Sequence, residues 1–379
     1  MSECVLCDMQ ITAETDSAEH IIINAIGGHY KVRGILCVRC NSETGKTWDC
    51  SLAKDLHSLG LLVGVVRERG ETPSMVVSNL EGQRLLLHAD GTMSPAKVEF
   101  KESQDASGLV TVEFVARDIE EVRKILKGVK KKYPKLDVES ALAKTGDKFI
   151  YLTSPLNFSM DFGGPLSGRS LVKSVLCFAA VNGVSAKDCW NAKSYLMNES
   201  GEPCFGYWYA RDMIVDRPNG VPLHCIAISS LGTDGQLIGY AEFYGVRRTV
   251  VCLAGSYSGP PVHAVYCIDP RTSEQLSICC NLSLTKEELR AAYNYEKIPD
   301  GSMEAAFEPI LREAYRRSHQ RERERVIDRA VDHAFKNIGV AEGEVLTDEE
   351  LWRLSGLVAE HMRPYLEQVL VKGRRKDEQ

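Results

Sequence analysis

Four cysteines and three neighbouring residues carry the chemistry legible near the start of this chain. Cys4 and Cys7 form one Cys-x-x-Cys pair, in ECVLCDMQ, and Cys37 and Cys40 form another, in GILCVRCN. Two such pairs can supply four thiolates to one tetrahedral zinc, a closed structural site. An ion held in this way contributes folding free energy to a small domain that cannot build a core of its own. Between the pairs stands AEHIIINAIGGHYKVRG, in which Glu19 precedes His20, and Asn41 follows the second pair directly. The cysteine pairs fix both ends of this insertion, so Glu19, His20 and Asn41 can be brought together. A carboxylate and an amide oxygen are hard ligands that suit Mg²⁺ or Mn²⁺ better than zinc. A histidine beside such an ion can take a proton from water near neutral pH.

The rest of the chain must position these groups. The first unit, expected over residues 1–58, ends in a helix within SLAKDLHSLG. Residues 59–160 read as β-rich with one basic helix. SMVVSNLEGQRLLLHADGTMSPAKVEF alternates like strands and carries EG and DG hairpin turns. RDIEEVRKILKGVKKKYP sets Ile119, Val122, Ile125, Leu126 and Val129 at helical spacing. Its other face is basic through Arg123, Lys124, Lys127, Lys130, Lys131 and Lys132, which reads as a solvated face or, alternatively, a phosphate-contacting one.

Residues 161–300 open with FGGPLSGRS, which lacks the Gly-Lys-Ser/Thr ending of a P-loop and reads as a turn into the apolar helix LVKSVLCFAAVNG. VPLHCIAISSL, QLIGYAEFYG, RRTVVCLAG and HAVYCIDP follow as short strands of an antiparallel sheet. Residues 301–379 are helical, with Pro309 inside one long pattern and a Thr347-Asp-Glu-Glu capping box opening the next. The fold class expected is α+β.

Composition narrows the setting. The formal charge of −6 gives no global positive field, so contacts to nucleic acid must come from local basic groups. MSECVLCDMQ lacks the basic and apolar regions of a signal peptide, and no apolar run is long enough to span a membrane. A cytoplasmic protein is expected. Its thirteen cysteines then read as reduced thiols or metal ligands, with Cys177, Cys225, Cys252 and Cys267 as core packing.

The pattern Glu-His-Ile-Ile, then Gly-Gly, then Leu-Cys-x-x-Cys-Asn-Ser-x-x-Gly resembles the HNH endonucleases, whose site is a ββα-metal (His-Me) finger. The resemblance covers roughly residues 1–58. It implies phosphodiester hydrolysis, with Glu19 and Asn41 as ligands of a catalytic Mg²⁺ or Mn²⁺ and His20 as general base. It implies structural zinc at Cys4, Cys7, Cys37 and Cys40, and DNA as the binding partner. Arg33, Arg39, Lys46 and Lys54 are candidates for phosphate contacts, or solvated surface. Two departures from the family pattern stand out. Ile23 takes the place of a frequent Pro, and the stretch before Cys37 lacks the family's middle Asn, for which Asn24 or His29 are the available substitutes.

Intracellular nucleases with this layout resemble accessory nucleases of bacterial phage or mobile-element defence, in which the C-terminal helices would meet a protein partner. The alternative reading is a catalytically decayed zinc-finger module that binds DNA or a protein. An RNA nuclease lacks supporting aromatic stacking motifs. A thiol redox protein lacks the βαβ setting for its cysteine pairs.

Overall fold

The computed structural model describes the chain except Met1, Asp147, Lys148, Thr153, Ser159, Phe162, Glu199, Ser200, Thr233, Glu342, Glu378 and Gln379; over residues 371–377 it describes the backbone alone. Phe162, the first residue of the glycine-rich loop, therefore lies outside the described residues.

The chain opens with β1 (Glu19–His20), β2 (Lys31–Val32), α1 (Val38–Thr44), a π-helical turn (Gly45–Asp49), α2 (Cys50–Asp55) and α3 (His57–Val63). Five strands follow: β3 (Met75–Asn79), β4 (Arg84–Leu87), β5 (Met93–Pro95), β6 (Glu99–Gln104) and β7 (Val110–Val115). Then come α4 (Ile119–Lys132), α5 (Val138–Ala143), β8 (Leu156–Asn157), α6 (Pro165–Val181) and α7 (Trp190–Met197). The remaining strands are β9 (Phe205–Tyr207), β10 (Ile214–Val215), β11 (His224–Ser229), β12 (Leu237–Phe243), β13 (Arg247–Ala254), β14 (His263–Ile268) and β15 (Cys279–Cys280). Three helices close the chain: α8 (Lys286–Tyr293), α9 (Ser302–Ile338) and α10 (Asp348–Asp377). The architecture is α+β, with antiparallel sheets and a helical C-terminus.

The chain divides into two compact units, each built from separate segments: Met1–Met75, His88–Thr92 and Phe158–Ala314 in one, Val76–Leu87, Met93–Asn157 and Tyr315–Gln379 in the other. The first unit holds the cysteines and the five-stranded antiparallel sheet β14-β11-β12-β13-β9. Its central strands are buried on both faces, so they read in sequence as unbroken apolar runs. Helix α6 covers one face. It starts after Gly163 and Gly164, both in the left-handed region, with Pro165 in its first turn. LVKSVLCFAAV is apolar except for Lys173 and Ser174, and the helix is buried from Ser167 to Ala179. At Gly239 of β12 a Cβ would lie 2.2 Å from Val175 Cγ1, so glycine is what lets α6 sit this close to the sheet.

The cysteine-bearing segment does not stand alone. One core runs from Cys4, Ile21, Ile22, Leu36 and Leu52 through Val172 and Val175 of α6 to Ile226, Ala241 and Leu253 of the sheet. On the other face of the sheet, Trp208, Tyr240, Val250 and Leu289 form a second cluster. Cys177, Cys225, Cys252 and Cys267 are buried, as packing residues should be.

His224, at the start of β11, ties the two parts of this core together. Its Nε2 donates to the Ile26 carbonyl (2.7 Å), so the proton sits there and Nδ1 accepts from the Tyr244 amide (3.0 Å). Burial holds its pKa down to about 4. The unfolded imidazole titrates near about 6.5. Stability from neutral His224 is therefore complete above that pH and drains away as pH falls toward 4, by about 3 kcal/mol in total. Urea unfolding between pH 7 and 4 should show this loss. His224→Gln, which keeps a donor and an acceptor, should remove that part of the pH dependence; an unchanged profile would mean that the imidazole is not the titrating group.

The second unit is described separately. Its sheet has the order β5-β4-β3-β8, and β6 pairs with β7 as a hairpin. The expected EG turn is present, with Gly82 in the left-handed region; Gly91 of the DG turn is in that region too, but belongs to the first unit's His88–Thr92 segment. Asp118 caps α4 by accepting from the Glu121 amide (2.8 Å), and the helix ends before Pro134. Lys124, Lys127, Lys130 and Lys131 are exposed, while Lys132 pairs with Glu102 (2.8 Å). Within the long helix, Glu322 accepts from both Arg325 and Arg329. Thr347 and Glu350 form the expected capping box at the start of α10. His333 of α9 stacks on His361 of α10 with ring centroids 4.7 Å apart.

Candidate metal centre and nuclease-like cleft

The cysteines converge. The Sγ atoms of Cys4, Cys7, Cys37 and Cys40 all lie within 4.8 Å of one another, and Cys7 and Cys37 are 3.8 Å apart. A tetrahedral zinc with bonds of about 2.3 Å requires sulfur spacings of about 3.8 Å, so this donor set fits zinc. Amides point at the sulfurs: Cys37 N–H donates to Cys4 Sγ and Cys40 N–H to Cys37 Sγ, each at 3.5 Å. Burial pushes the Cys7 thiol up, but the Met9 amide and the neighbouring thiols hold it down to about 7. Burial pushes the Cys4 and Cys40 thiols the other way, up.

From this anchor two short strands carry the Glu-His pair. β1 pairs antiparallel with β2 in the register Glu19↔Val32 and His20↔Lys31. Adjacent strand residues point to opposite faces. Glu19 therefore turns inward and is 4% exposed, while His20 turns toward Lys31 and Glu68. The chain then returns through Gly27 and Gly28. A Cβ at Gly28 would stand 1.7 Å from the Ile22 carbonyl oxygen, which explains the Gly-Gly of the motif sterically.

The helical segment opposite is continuous but irregular. Residues four apart drift round an α-helix, which has about 3.6 residues per turn. The π-helical turn between α1 and α2 is wider and cancels that drift. Asn41, Gly45, Asp49 and Ala53 consequently share one face. They line a cleft of about 320 Å³ together with Ala18, Glu19, His20, Ile23, Asn24, Ala25 and Cys50. Gly45 is helical, and a Cβ there would meet nothing within 4 Å.

Each side chain in the cleft has a defined state. Asn41 Nδ2 donates to Ser17 Oγ (3.1 Å) and to the Ala18 carbonyl (3.2 Å), which leaves its Oδ1 without a hydrogen-bond partner among the described residues. His20 Nε2 lies 2.9 Å from Glu68 Oε2. A carboxylate only accepts, so Nε2 carries the proton and Nδ1 keeps its lone pair. Burial pulls the His20 pKa down, and Glu68 opposes this. Glu68 is itself held to about 2 by Lys31 and His20. Asn24 Oδ1 accepts from the Glu68 amide (3.0 Å), so Asn24 steadies the residue that steadies His20. His29 pairs instead with Ser273 (2.7 Å).

The deepest contact was not legible beforehand. Lys173 of α6 is fully buried and places its ammonium 2.8 Å from Glu19 Oε1 and 2.6 Å from Asp49 Oδ2. Burial opposes its charge, but Asp49 and Glu19 outweigh this and raise its pKa. Burial raises the Glu19 carboxyl, with Lys173 pulling the other way. Asp49 makes no helix cap; its other oxygen accepts from Ser170 Oγ (2.6 Å). One turn back, Ser167 donates to Asp55 (2.5 Å). Ser167, Ser170 and Lys173 thus form a polar ladder along α6, facing the helical segment of the finger. A sequence signal for it did exist: Lys173 stands inside the apolar run LVKSVLCFAAV, where a buried ammonium needs an acidic partner.

The four basic candidates lie elsewhere. Arg33 is exposed and pairs with Asp16 (3.3 Å), Arg39 lies beside the Cys7 thiol, and Lys46 and Lys54 are exposed on the helical segment. None of them lines the cleft.

Residues 4–57 match the family model of the HNH endonucleases. No curated protein and no solved structure matches the chain.

Proposed function

We propose that the N-terminal HNH finger is a metal-dependent endonuclease or nickase that hydrolyses DNA phosphodiester bonds. The observation that carries this reading is the cleft itself, which Glu19, His20 and Asn41 line together, Asn41 following Cys40 of the cysteine cluster in the chain. The oxygen donors fit a hard divalent ion: Asn41 Oδ1 has no hydrogen-bond partner among the described residues, and Glu19 has a second oxygen beyond the one facing Lys173. Such an ion, when bound, supplies charge neutralisation at a phosphate oxygen and at the leaving oxygen.

The remaining work falls to the chain. His20 Nδ1 accepts the proton of an attacking water, because Glu68 keeps the proton of the neutral ring on Nε2. Glu68 then stabilises the imidazolium that forms. Asn41 is held by Ser17 and Ala18, so its oxygen needs no reorganisation. Supercoiled plasmid incubated with Mg²⁺ or Mn²⁺ tests the reading: nicked or linear product from the wild type and far less from His20→Ala supports it, and equal cutting by both overturns it.

Glu68→Gln gives a finer check. Glutamine can present either donor or acceptor to Nε2, so the tautomer is no longer imposed and the imidazolium loses its counter-charge. The nicking rate should fall about tenfold or more with substrate affinity unchanged. An unaltered rate would remove Glu68 from the mechanism.

A second reading, a binding module without catalysis, is favoured by one observation: the ion pair of Glu19 with Lys173.

A further inference from the structure

Lys173 is more than a structural pin. Ser167 and Ser170 already fasten α6 to the helical segment through Asp55 and Asp49. A fully buried ammonium added to such a contact costs desolvation that a neutral side chain would avoid. Its position is what distinguishes it. It stands within 2.8 Å of Glu19 and 2.6 Å of Asp49, two carboxylates that line the same cleft as Asn41. One ammonium between two carboxylates leaves the cluster with a single net negative charge. A divalent ion entering the cleft meets that residual charge and a cation already in place.

We propose that Lys173 is the resident cation of the cleft: its ammonium neutralises Glu19 and Asp49 in the metal-free protein and competes with the divalent ion for them. This rests on the reading of Glu19 and Asn41 as metal ligands, and it makes Lys173 a residue that sets metal affinity from outside the finger. It also accounts for the observation behind the second reading, because the same ion pair that makes Glu19 look inert becomes the state the metal must displace.

The test uses the full-length, zinc-loaded protein and Mn²⁺ as the probe, followed by electron paramagnetic resonance and thermal unfolding. Lys173→Met removes the charge and keeps the bulk. It should bind Mn²⁺ at least tenfold more tightly than the wild type. Its melting temperature, lowered without metal, should recover on adding Mn²⁺. Lys173→Gln keeps a polar end and should show the same gain in affinity if the methionine variant folds poorly. Lys173→Arg keeps the charge and should bind like the wild type. Adding Glu19→Gln to Lys173→Met should abolish the gain, placing the ion in this cleft rather than at the cysteines.

Equal Mn²⁺ affinity in wild type, Lys173→Met and Lys173→Gln overturns the proposal, and does so even where the wild type nicks DNA, which leaves the nuclease reading standing. A gain in affinity with no nicking by any variant supports the proposal and counts against the nuclease reading.

Discussion

Cys40→Ala should unfold the finger and lower the melting temperature of the whole first unit. A structural zinc contributes an apparent binding free energy of about 10–16 kcal/mol in small domains that fold around it. A domain as a whole is stable by about 5–15 kcal/mol. Losing one of four ligands therefore removes a term as large as the total. The damage spreads because Ile21, Ile22, Leu36 and Leu52 belong to the same core as Val172 and Val175 of α6. Zinc content by elemental analysis and calorimetric melting check this together. A variant that keeps its zinc and melts with the wild type would show that the cysteines do not hold the ion. Chelation of the wild-type protein should reproduce the loss.

His20→Ala has the opposite profile. The imidazole is partly exposed at the cleft, and its replacement leaves the core and the cysteines untouched. Zinc content and melting temperature should match the wild type. Nicking should fall by a factor of about 10²–10⁴, the usual contribution of a positioned general base. The two variants separate chemistry from folding: one is folded and inactive, the other inactive because it is unfolded. Should both lose their fold, His20 is a structural residue and its bond to Glu68 is only an anchor.

These expectations rest on different kinds of information. The cysteine cluster was legible because Cys-x-x-Cys spacing constrains geometry within a few bonds, and the sequence separation of the two pairs matters little once one ion can hold all four. The Glu-His pair and the Asn after Cys40 were legible as residue types suited to a hard metal and a proton acceptor. The Gly-Gly was legible as a turn, though the reason it must be glycine, the Ile22 carbonyl against Gly28, is a matter of packing. The hairpins of the second unit, the capped helices and the buried apolar strands followed from local periodicity and turn chemistry in the same way.

What local pattern could not reach was the company these groups keep. Asp49 precedes α2 yet its side chain does not cap it; its contacts with Lys173 and Ser170 are what define its place. The π-helical turn that brings Asn41, Gly45 and Asp49 to one face leaves no clear mark in residue types. Glu68 supplies the brace for His20 from 48 residues further along the chain, beyond the matched segment. Lys173 reaches Asp49 across 124 positions. The chain by itself determined the metal-type donors, the proton acceptor and the elements that carry them, because spacing and side-chain chemistry act locally. Tertiary structure alone decided which charge faces which, because the energy of a buried ion pair depends on distance and desolvation, and neither exists until remote segments pack.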